Sequence, residues 1–380
     1  MLPQLYRSSL KSQLNPAQLL TLEVLVWLIQ VHKQVRIERL AAHFPLPIKF
    51  ESRRRHIQRF LQLPQLSVVL LWFPIIITII QSKIELGKRV YLAIDRTQWK
   101  DKNLFMVALI IEKRAIPIYW QFLEKQGASN LAEQQAILRP AIRLLQGYEI
   151  VILADREFHS VELAKWLCEK KVYFVLRQKK DTNIQQKGQE YQELTRLELA
   201  PGMSRFLTKI KVTKEKGFER ANLAAYWKRK YRRKTEKEPW YLLTNLGNLA
   251  ETLTAYRKRT GIEAMFKDCK TGGYNLEGSY ASIERLTRLV LLIAVAYTWA
   301  TLKGRAIKST GQKNYINRFR KVKQLLTKNS SFWVGLYGDV WVIGMEFLSD
   351  WSQKLMRMTP NKLSFFQKGL RAMSLIQSAF

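Results

Sequence analysis

The chain has 380 residues, 47% of them hydrophobic, and a formal net charge of +34. That length and apolar content allow two or three domains around a sizeable core and exclude a disordered tail. So large a positive excess points away from a typical metabolic enzyme and toward a polyanionic partner, most simply nucleic acid. A ribosomal-type or membrane-surface protein would share the charge, but the many Trp, Tyr and apolar segments argue against a simple basic arm. Two cysteines, Cys168 and Cys269, with no C-x-x-C spacing, exclude a disulfide framework. No secretory signal opens the chain, and a cytosolic setting is expected. His32, His43, His56 and His159 have no zinc-ligand spacing.

Residues 1–85 read as all-helical. Asn15-Pro16 gives an N-cap followed by proline at the first helical position, ahead of a broad apolar face from Leu19 to Ile29. A second helix is predicted over Ile37–His43, stopping before Pro45, and a third over Phe50–Leu63, stopping before Pro64. The third carries Arg53, Arg54, Arg55, His56 and Arg59 beside Phe50, Ile57, Phe60 and Leu61. Short helices with one strongly basic member resemble a helix-turn-helix arrangement, so DNA contact by Arg53, Arg54 and Arg55 is expected; a merely solvated basic face is the alternative. The apolar run Leu66–Ile80 holds Pro74 and, at about 15 residues, is shorter than a membrane span of about 20. It is expected in the core, as one or two helices within Leu66–Ile84.

The texture then changes. Arg89–Asp95, Leu104–Ile111 and Ala115–Leu123 read as three strands of an antiparallel meander. A helix over Asn130–Gln146, broken or kinked at Pro140, leads to a strand at Glu149–Leu153 that ends at Asp155. A helix from His159 to Lys170 and a fifth strand at Val172–Arg177 complete a β-β-β-α-β-α-β order. The strand after the first helix can pair in parallel with the first strand of the meander. Asp95 and Asp155 would then lie side by side at the carboxyl ends of neighbouring strands, where open α/β sheets place their sites. Two adjacent carboxylates in a basic protein are costly unless a cation neutralises them, and a pair of divalent ions suits phosphoryl transfer. Either aspartate alone could be an ordinary strand-end residue.

Residues 181–249 read as a β-rich insertion. Asp181–Pro201 is loop-like; Phe206–Val212, Ala221–Trp227 and Trp240–Thr244 are rich in β-formers and predict a small separate antiparallel sheet. Lys228–Lys237 is a very basic segment suited to a hairpin tip on phosphates or to a solvated loop. The following stretch Tyr256–Lys270 contains Tyr256, Arg259, Glu263 and Lys270. On one continuous helix these four side chains would fall within roughly 60° of one another. That face would set a carboxylate between cations, suiting a metal ion and a phosphate together. A solvated helix with i,i+4 charge pairs is the alternative.

These motifs together resemble a known family. Asp95-Arg96-Thr97-x-Trp99, then Ala154-Asp155-Arg156-x-Phe158, then the Tyr256/Arg259/Glu263/Lys270 spacing look like the DDE transposases of bacterial insertion sequences, within the insertion-sequence-four group whose signature is Y-R-E-K. The resemblance spans roughly Arg89 to Gly273. It implies an α/β fold with an RNase H-like catalytic domain over 86–180 and 250–303, a mixed five-stranded sheet with helices, interrupted by the insertion. It implies two Mg2+ ions, replaceable by Mn2+, on Asp95, Asp155 and Glu263. It further implies DNA contacts by Tyr256, Arg259, Lys270 and Arg156. Some members of the family pass through a hairpin intermediate with a flipped base held on an aromatic, for which Trp240 is the candidate; a core tryptophan is the alternative.

Ile283–Leu302 reads as a long apolar helix, and Glu284, Arg285 and Arg288 in its first turns favour burial over a membrane. Arg305–Lys328 is basic with an apolar stripe of Tyr315, Ile316, Phe319, Val322 and Leu325. Residues 304–380 are expected to be helical, making dimer or DNA contacts. The expected function is cut-and-paste transposition: Mg2+-dependent cleavage at terminal inverted repeats and strand transfer to target double-stranded DNA by a synaptic homodimer, in the bacterial cytoplasm at the nucleoid and away from membranes. A DNA-binding protein without activity and a non-transposing nuclease are the alternatives.

Overall fold

The computed structural model describes residues 2–214, 217–229, 237–317 and 329–379. It packs as two units: Met1–Trp72 with Lys267–Phe380, and Phe73–Phe266.

The first unit begins with α1 (Gln4–Lys11) and α2 (Pro16–His32). A capping box starts α2: Asn15 Oδ1 accepts from the Gln18 amide at 2.9 Å, and Gln18 Oε1 accepts from the Asn15 amide at 3.1 Å. The cap is legible in sequence; α1 is not, because it buries only Tyr6 and Leu10, one turn apart. Next come α3 (Ile37–His43) and α4 (Phe50–Phe60), and α4 buries Ile57 and Phe60. The apolar run becomes a π-helical turn, Val68–Trp72, and then α5 (Phe73–Gln81), which opens the second unit.

The second unit is built on one sheet. Its strands are β1 (Arg89–Trp99), β2 (Lys102–Ile111) and β3 (Arg114–Phe122), followed after α6 (Leu131–Leu144) by β4 (Glu149–Ala154). α6 runs through Pro140 and does not end there. After α7 (Val161–Glu169) comes β5 (Tyr173–Arg177). β1, β2 and β3 form the predicted antiparallel meander, while β1–β4 and β4–β5 pair in parallel. β1 continues past Asp95 to Trp99 because β2 still pairs with it there.

The insertion does not form a separate sheet. Its strands are β6 (Asn183–Gln185), β7 (Gln192–Glu193), β8 (Ser204–Val212), β9 (Phe218–Tyr226) and β10 (Trp240–Thr244). They extend the sheet to ten strands, in the order β3-β2-β1-β4-β5-β10-β9-β8-β6-β7. The join is β10 against β5, and side chains close it: Thr244 Oγ1 donates to the Phe174 carbonyl at 2.6 Å, and Asn245 Oδ1 accepts from the Phe174 amide at 2.9 Å. β6 and β7 lie within the stretch that reads as loop, too short to show a period. Of the basic segment Lys228–Lys237, residues 230–236 lie outside the described residues.

Two helices follow the sheet, α8 (Leu249–Lys258) and α9 (Thr260–Cys269). The chain then forms α10 (Ile283–Ser309), α11 (Ser331–Phe347), α12 (Ser349–Arg357) and α13 (Leu363–Gln377). Phe319, Val322 and Leu325 lie outside the described residues. α10 is long and apolar enough to cross a membrane, yet 89% of its most apolar window is buried within the protein. Glycines bring α10 and α11 into backbone contact. A Cβ at Gly304 would stand 1.8 Å from the Ser331 carbonyl oxygen, and one at Gly335 1.8 Å from that of Ala300. The same crossing buries the Lys303–Asp339 ion pair.

Substituting Gly335→Ala must therefore force the two backbones apart. It should destabilise the protein by about 3 kcal/mol, as overpacking in a filled core does. Gly344→Ala on the same helix meets nothing within 4 Å and serves as the control. Denaturant unfolding of both variants checks this; equal stabilities would contradict the tight crossing.

Candidate active site

Strand register brings the two aspartates together. Ala93 pairs with Leu153 in the parallel β1–β4 ladder, so two residues further on Asp95 is level with Asp155. Each carboxylate is then fixed by a local backbone donor. Asp95 Oδ1 accepts from the Arg96 amide at 2.8 Å. Asp155 Oδ1 accepts from the Glu157 amide at 3.0 Å, capping the 3-10 turn Arg156–Phe158. Burial, and next the neighbouring Asp155 carboxylate, push the Asp95 carboxyl up to about 7. Arg259 and the Arg96 amide pull it the other way without cancelling that rise.

A second layer braces this pair. Arg96 clamps Glu157 with two donors, its Nη2 reaching Oε2 at 2.7 Å, and its Nη1 donates to Asn103 Oδ1 at 2.8 Å. Glu157 Oε1 also accepts from the amide and hydroxyl of Ser129, each at 3.1 Å. Burial opposes the charge on Glu157, but the Arg96 and Ser129 hydrogen bonds outweigh it and hold the carboxyl below its usual value. Glu157 thus orients Arg96, whose amide holds Asp95. This pairing of residues 61 apart is invisible to local pattern; its one sequence signal is that each follows a strand aspartate within two positions.

The Tyr256–Lys270 stretch is not one helix. α8 ends at Lys258, Arg259 is its C-cap, and α9 starts at Thr260. Gly261 lets the first turn of α9 lie close on the start of β3, since a Cβ there would stand 3.2 Å from the Ala115 amide nitrogen. Arg259, with its side chain only 11% exposed, turns inward. Its Nη1 is 3.5 Å from Asp95 Oδ2, and its Nη2 pairs with Glu263. Burial alone would lower its pKa; the Tyr256 phenol and the carboxylates of Glu263, Asp95 and Asp155 raise it above the usual value. The structure therefore sets Arg259 between Glu263 and the Asp95 that lies level with Asp155.

Tyr256 is buried beside this cation, its ring centroid 5.8 Å from the guanidinium carbon, and burial raises its phenol pKa. Trp240 meets the Tyr256 ring edge-on at 5.0 Å and the Tyr226 ring at 5.9 Å. It is half-buried in an aromatic cluster beside the site, so the two sequence readings of Trp240 share one location. Arg156 is exposed and pairs with Glu238 at 2.6 Å; Glu238 also accepts from Arg177 at 3.0 Å. Glu238 and Arg177 went unnoticed in the sequence, where nothing marks them.

The remaining predicted residues belong to the first unit. Lys270 lies just past the end of α9 and pairs with Glu277 at 2.6 Å. On α4, Arg54 pairs with Glu51 at 3.0 Å and Arg53 Nη1 donates to the Leu46 carbonyl at 3.5 Å, while Arg55 is exposed.

Among the described residues no three acidic, His or Cys side chains are grouped so as to hold a metal ion. Glu263 is 53% exposed and paired with Arg259. The donor chemistry of Asp95 and Asp155 fits a hard divalent cation: both are oxygen ligands, and each raises the cost of ionising the other in a way a cation would relieve.

Residues 92–299 match a family model described as Transposase DDE domain. No curated protein matches the chain. Among solved structures it is similar to the cryo-EM structure of the piggyBac transposase synaptic complex with hairpin DNA. That likeness has 14% sequence identity and a TM-score of 0.42, covering 84% of this chain and 69% of that one.

Because the Asp95 carboxyl is held protonated up to about 7, it contributes less to folding as pH rises from near 4 through 7. The rise from 3.8 corresponds to roughly 4 kcal/mol at most. Asp95→Asn should therefore stabilise the metal-free protein at pH 8, with a gain that shrinks as the pH is lowered to 5. Thermal melts in chelator at the two pH values measure it, and a pH-independent difference would contradict the carboxylate pairing. In the same melts Glu157→Gln should destabilise by about 2 kcal/mol by leaving Arg96 without its charged partner.

Proposed function

The chain belongs to the transposase DDE domain family, and from that premise we propose that it is the transposase of an insertion sequence of the Y-R-E-K group, moving its element by cut-and-paste. The observation that carries this reading is the reach of Arg259 to both Asp95 and Glu263, beside the Asp155 that the β1–β4 register sets level with Asp95. In this reading 86–180 and 250–303 form an RNase H-like catalytic domain, supported by the strand order β3-β2-β1-β4-β5 with its parallel β1–β4 and β4–β5 pairs. Residues 181–249 are its insertion; 1–85 and 304–380 are the helical regions that contact DNA and the second copy.

Asp95 and Asp155 would hold divalent cations, Mg2+ or Mn2+, with Glu263 joining them once Arg259 releases it. Bound there, the ions supply activation of the attacking oxygen and stabilisation of the leaving oxygen. The chain's own residues do the rest. Arg259, which hydrogen-bonds Glu263 through Nη2 and leaves its buried Nη1 without a hydrogen bond, would present both edges of its planar fork to a DNA phosphate. Tyr256 and Trp240 wall the same spot and limit water. Lys270 and Arg156 release Glu277 and Glu238 to reach neighbouring phosphates. Arg53, Arg54 and Arg55 bind the duplex of the inverted repeat, and the net charge of +34 makes that binding steeply salt-dependent.

A homodimer completes the reading, since two element ends must be joined. Its support is the large apolar side chains that the end of α11, α12, α13 and the loop between the last two leave in solvent: Phe347 is 89% exposed, Trp351 68%, Met358 75% and Phe365 69%.

Two experiments test the reading. On a plasmid carrying the element's two ends, wild type with Mg2+ should cleave at the ends and give joined products. Asp155→Ala and Glu263→Ala should do neither, and Arg259→Ala should retain about 1–10% of the rate, in the range of lost supporting contacts at metal sites. End binding with no cleavage by wild type would favour a DNA-binding protein without activity; cleavage without joining would favour a nuclease. Sedimentation of the double variant Trp351→Asp, Phe365→Asp should give a monomer where wild type dimerises, and an unchanged dimer would remove the C-terminal face from the assembly.

A further inference from the structure

Arg96 and Glu157 each give their backbone amide to a different aspartate. Arg96 donates to Asp95 Oδ1 at 2.8 Å, and Glu157 to Asp155 Oδ1 at 3.0 Å. Their side chains then grip each other through two hydrogen bonds. The parallel β1–β4 ladder runs only to Ala93 and Leu153, two residues short of the aspartates. Beyond it, the Arg96–Glu157 pair cross-links the two segments that carry the carboxylates.

The cross-link is held in turn by a closed network. Asn103, buried on β2, accepts from Arg96 Nη1 at 2.8 Å. Its Nδ2 donates to the Lys125 carbonyl at 2.8 Å and to the Gly127 carbonyl at 3.2 Å, in the chain that follows β3. On the other side, the amide and hydroxyl of Ser129 meet Glu157 Oε1. The buried Gln134 Nε2 donates to the Ser129 carbonyl at 3.1 Å and hydroxyl at 3.2 Å. The paired side chains of Arg96 and Glu157 are only 13% and 18% exposed. A bidentate pair so enclosed fixes orientation as well as charge.

With Oδ1 of each aspartate engaged by an amide, Oδ2 is the oxygen each offers a cation. Mg2+ takes single oxygens from one or two carboxylates at about 2.0–2.1 Å, keeps several waters and demands near-octahedral geometry. Ca2+ takes about six to eight oxygens at about 2.3–2.6 Å, accepts both oxygens of one carboxylate and tolerates a flexible site. A rigid pair of one-oxygen ligands therefore suits the smaller ion.

We propose that the Arg96–Glu157 cross-link sets the cation preference of the site. It holds Asp95 and Asp155 as one-oxygen ligands at a fixed spacing that favours Mg2+ over Ca2+, and Asn103 and Ser129 are positioning residues that act through it. The inference rests on the reading of the two aspartates as cation ligands.

The test measures Mn2+ bound to the full chain by electron paramagnetic resonance, without DNA, and displaces it with Mg2+ or with Ca2+. Asp155→Ala supplies the background. In wild type Mg2+ should displace Mn2+ at a lower concentration than Ca2+ does. The ratio of the Ca2+ midpoint to the Mg2+ midpoint should fall about tenfold in Arg96→Lys and in Glu157→Gln, the scale of a lost supporting partner at a metal site. Arg96→Lys keeps the charge and the backbone amide and loses only the planar fork. Ser129→Ala removes one donor to Glu157 and leaves the amide bond in place; it should lower the ratio about threefold, the scale of one hydrogen bond, and decides the matter if the larger changes do not fold. Asn103→Ala should shift the ratio in the same direction. An unchanged ratio in the variants, whether the two midpoints stay or move together, would overturn the proposal and leave the cation ligands in place, because a merely structural role weakens both ions alike. A wild type that prefers Ca2+ would overturn it too. No Mn2+ bound by wild type above the Asp155→Ala background would overturn the reading of the aspartates as cation ligands.

Discussion

The parallel register of β1 and β4 is the constraint on which the rest of the site depends. It sets Asp95 level with Asp155, and every later feature answers the electrostatic consequence. Two carboxylates on adjacent strands repel, and burial of Asp95 makes its ionisation costlier still. A slip of one residue would turn Asp95 to the opposite face of the sheet and dissolve the pair. The meander on one side of β1 and the β4–β5 ladder on the other hold that register along the strand.

Arg259 answers the repulsion from within the chain. It reaches Asp95 and Glu263 at once, and its charge is favoured by all three carboxylates. An internal cation of this kind keeps a metal-free site folded. In the proposed reading a DNA phosphate would offer the guanidinium another bidentate partner and free Glu263.

How much of this was legible in the sequence follows from the range of each interaction. Asn15-Pro16, the strands around Asp95 and the long helix after Ile283 are local patterns, and the structure places them within a few residues of expectation. The levelling of Asp95 with Asp155 was legible because each ends a strand run whose parallel pairing the element order suggests. The break in the helix at Arg259 was not: the pattern reads as one helix, and the close approach of Gly261 to Ala115 beside the break joins residues 146 positions apart. The Arg96–Glu157 clamp and the Glu238 bridge were hidden for the same reason. The single ten-stranded sheet was misread as two, because β-propensity identifies strands but not their partners.

That misreading has a physical consequence. With β10 hydrogen-bonded to β5, the insertion is not a tethered module that can swing free of the aspartates. Thr244 and Asn245 fasten its last strand to the Phe174 backbone, and Glu238, just before that strand, is gripped by Arg177 and Arg156. Arg156 in turn directly follows Asp155. The insertion strands are therefore continuous with the sheet that carries Asp95 and Asp155, and Trp240, the first residue of β10, is set against Tyr256 by the same strand that joins the insertion to β5.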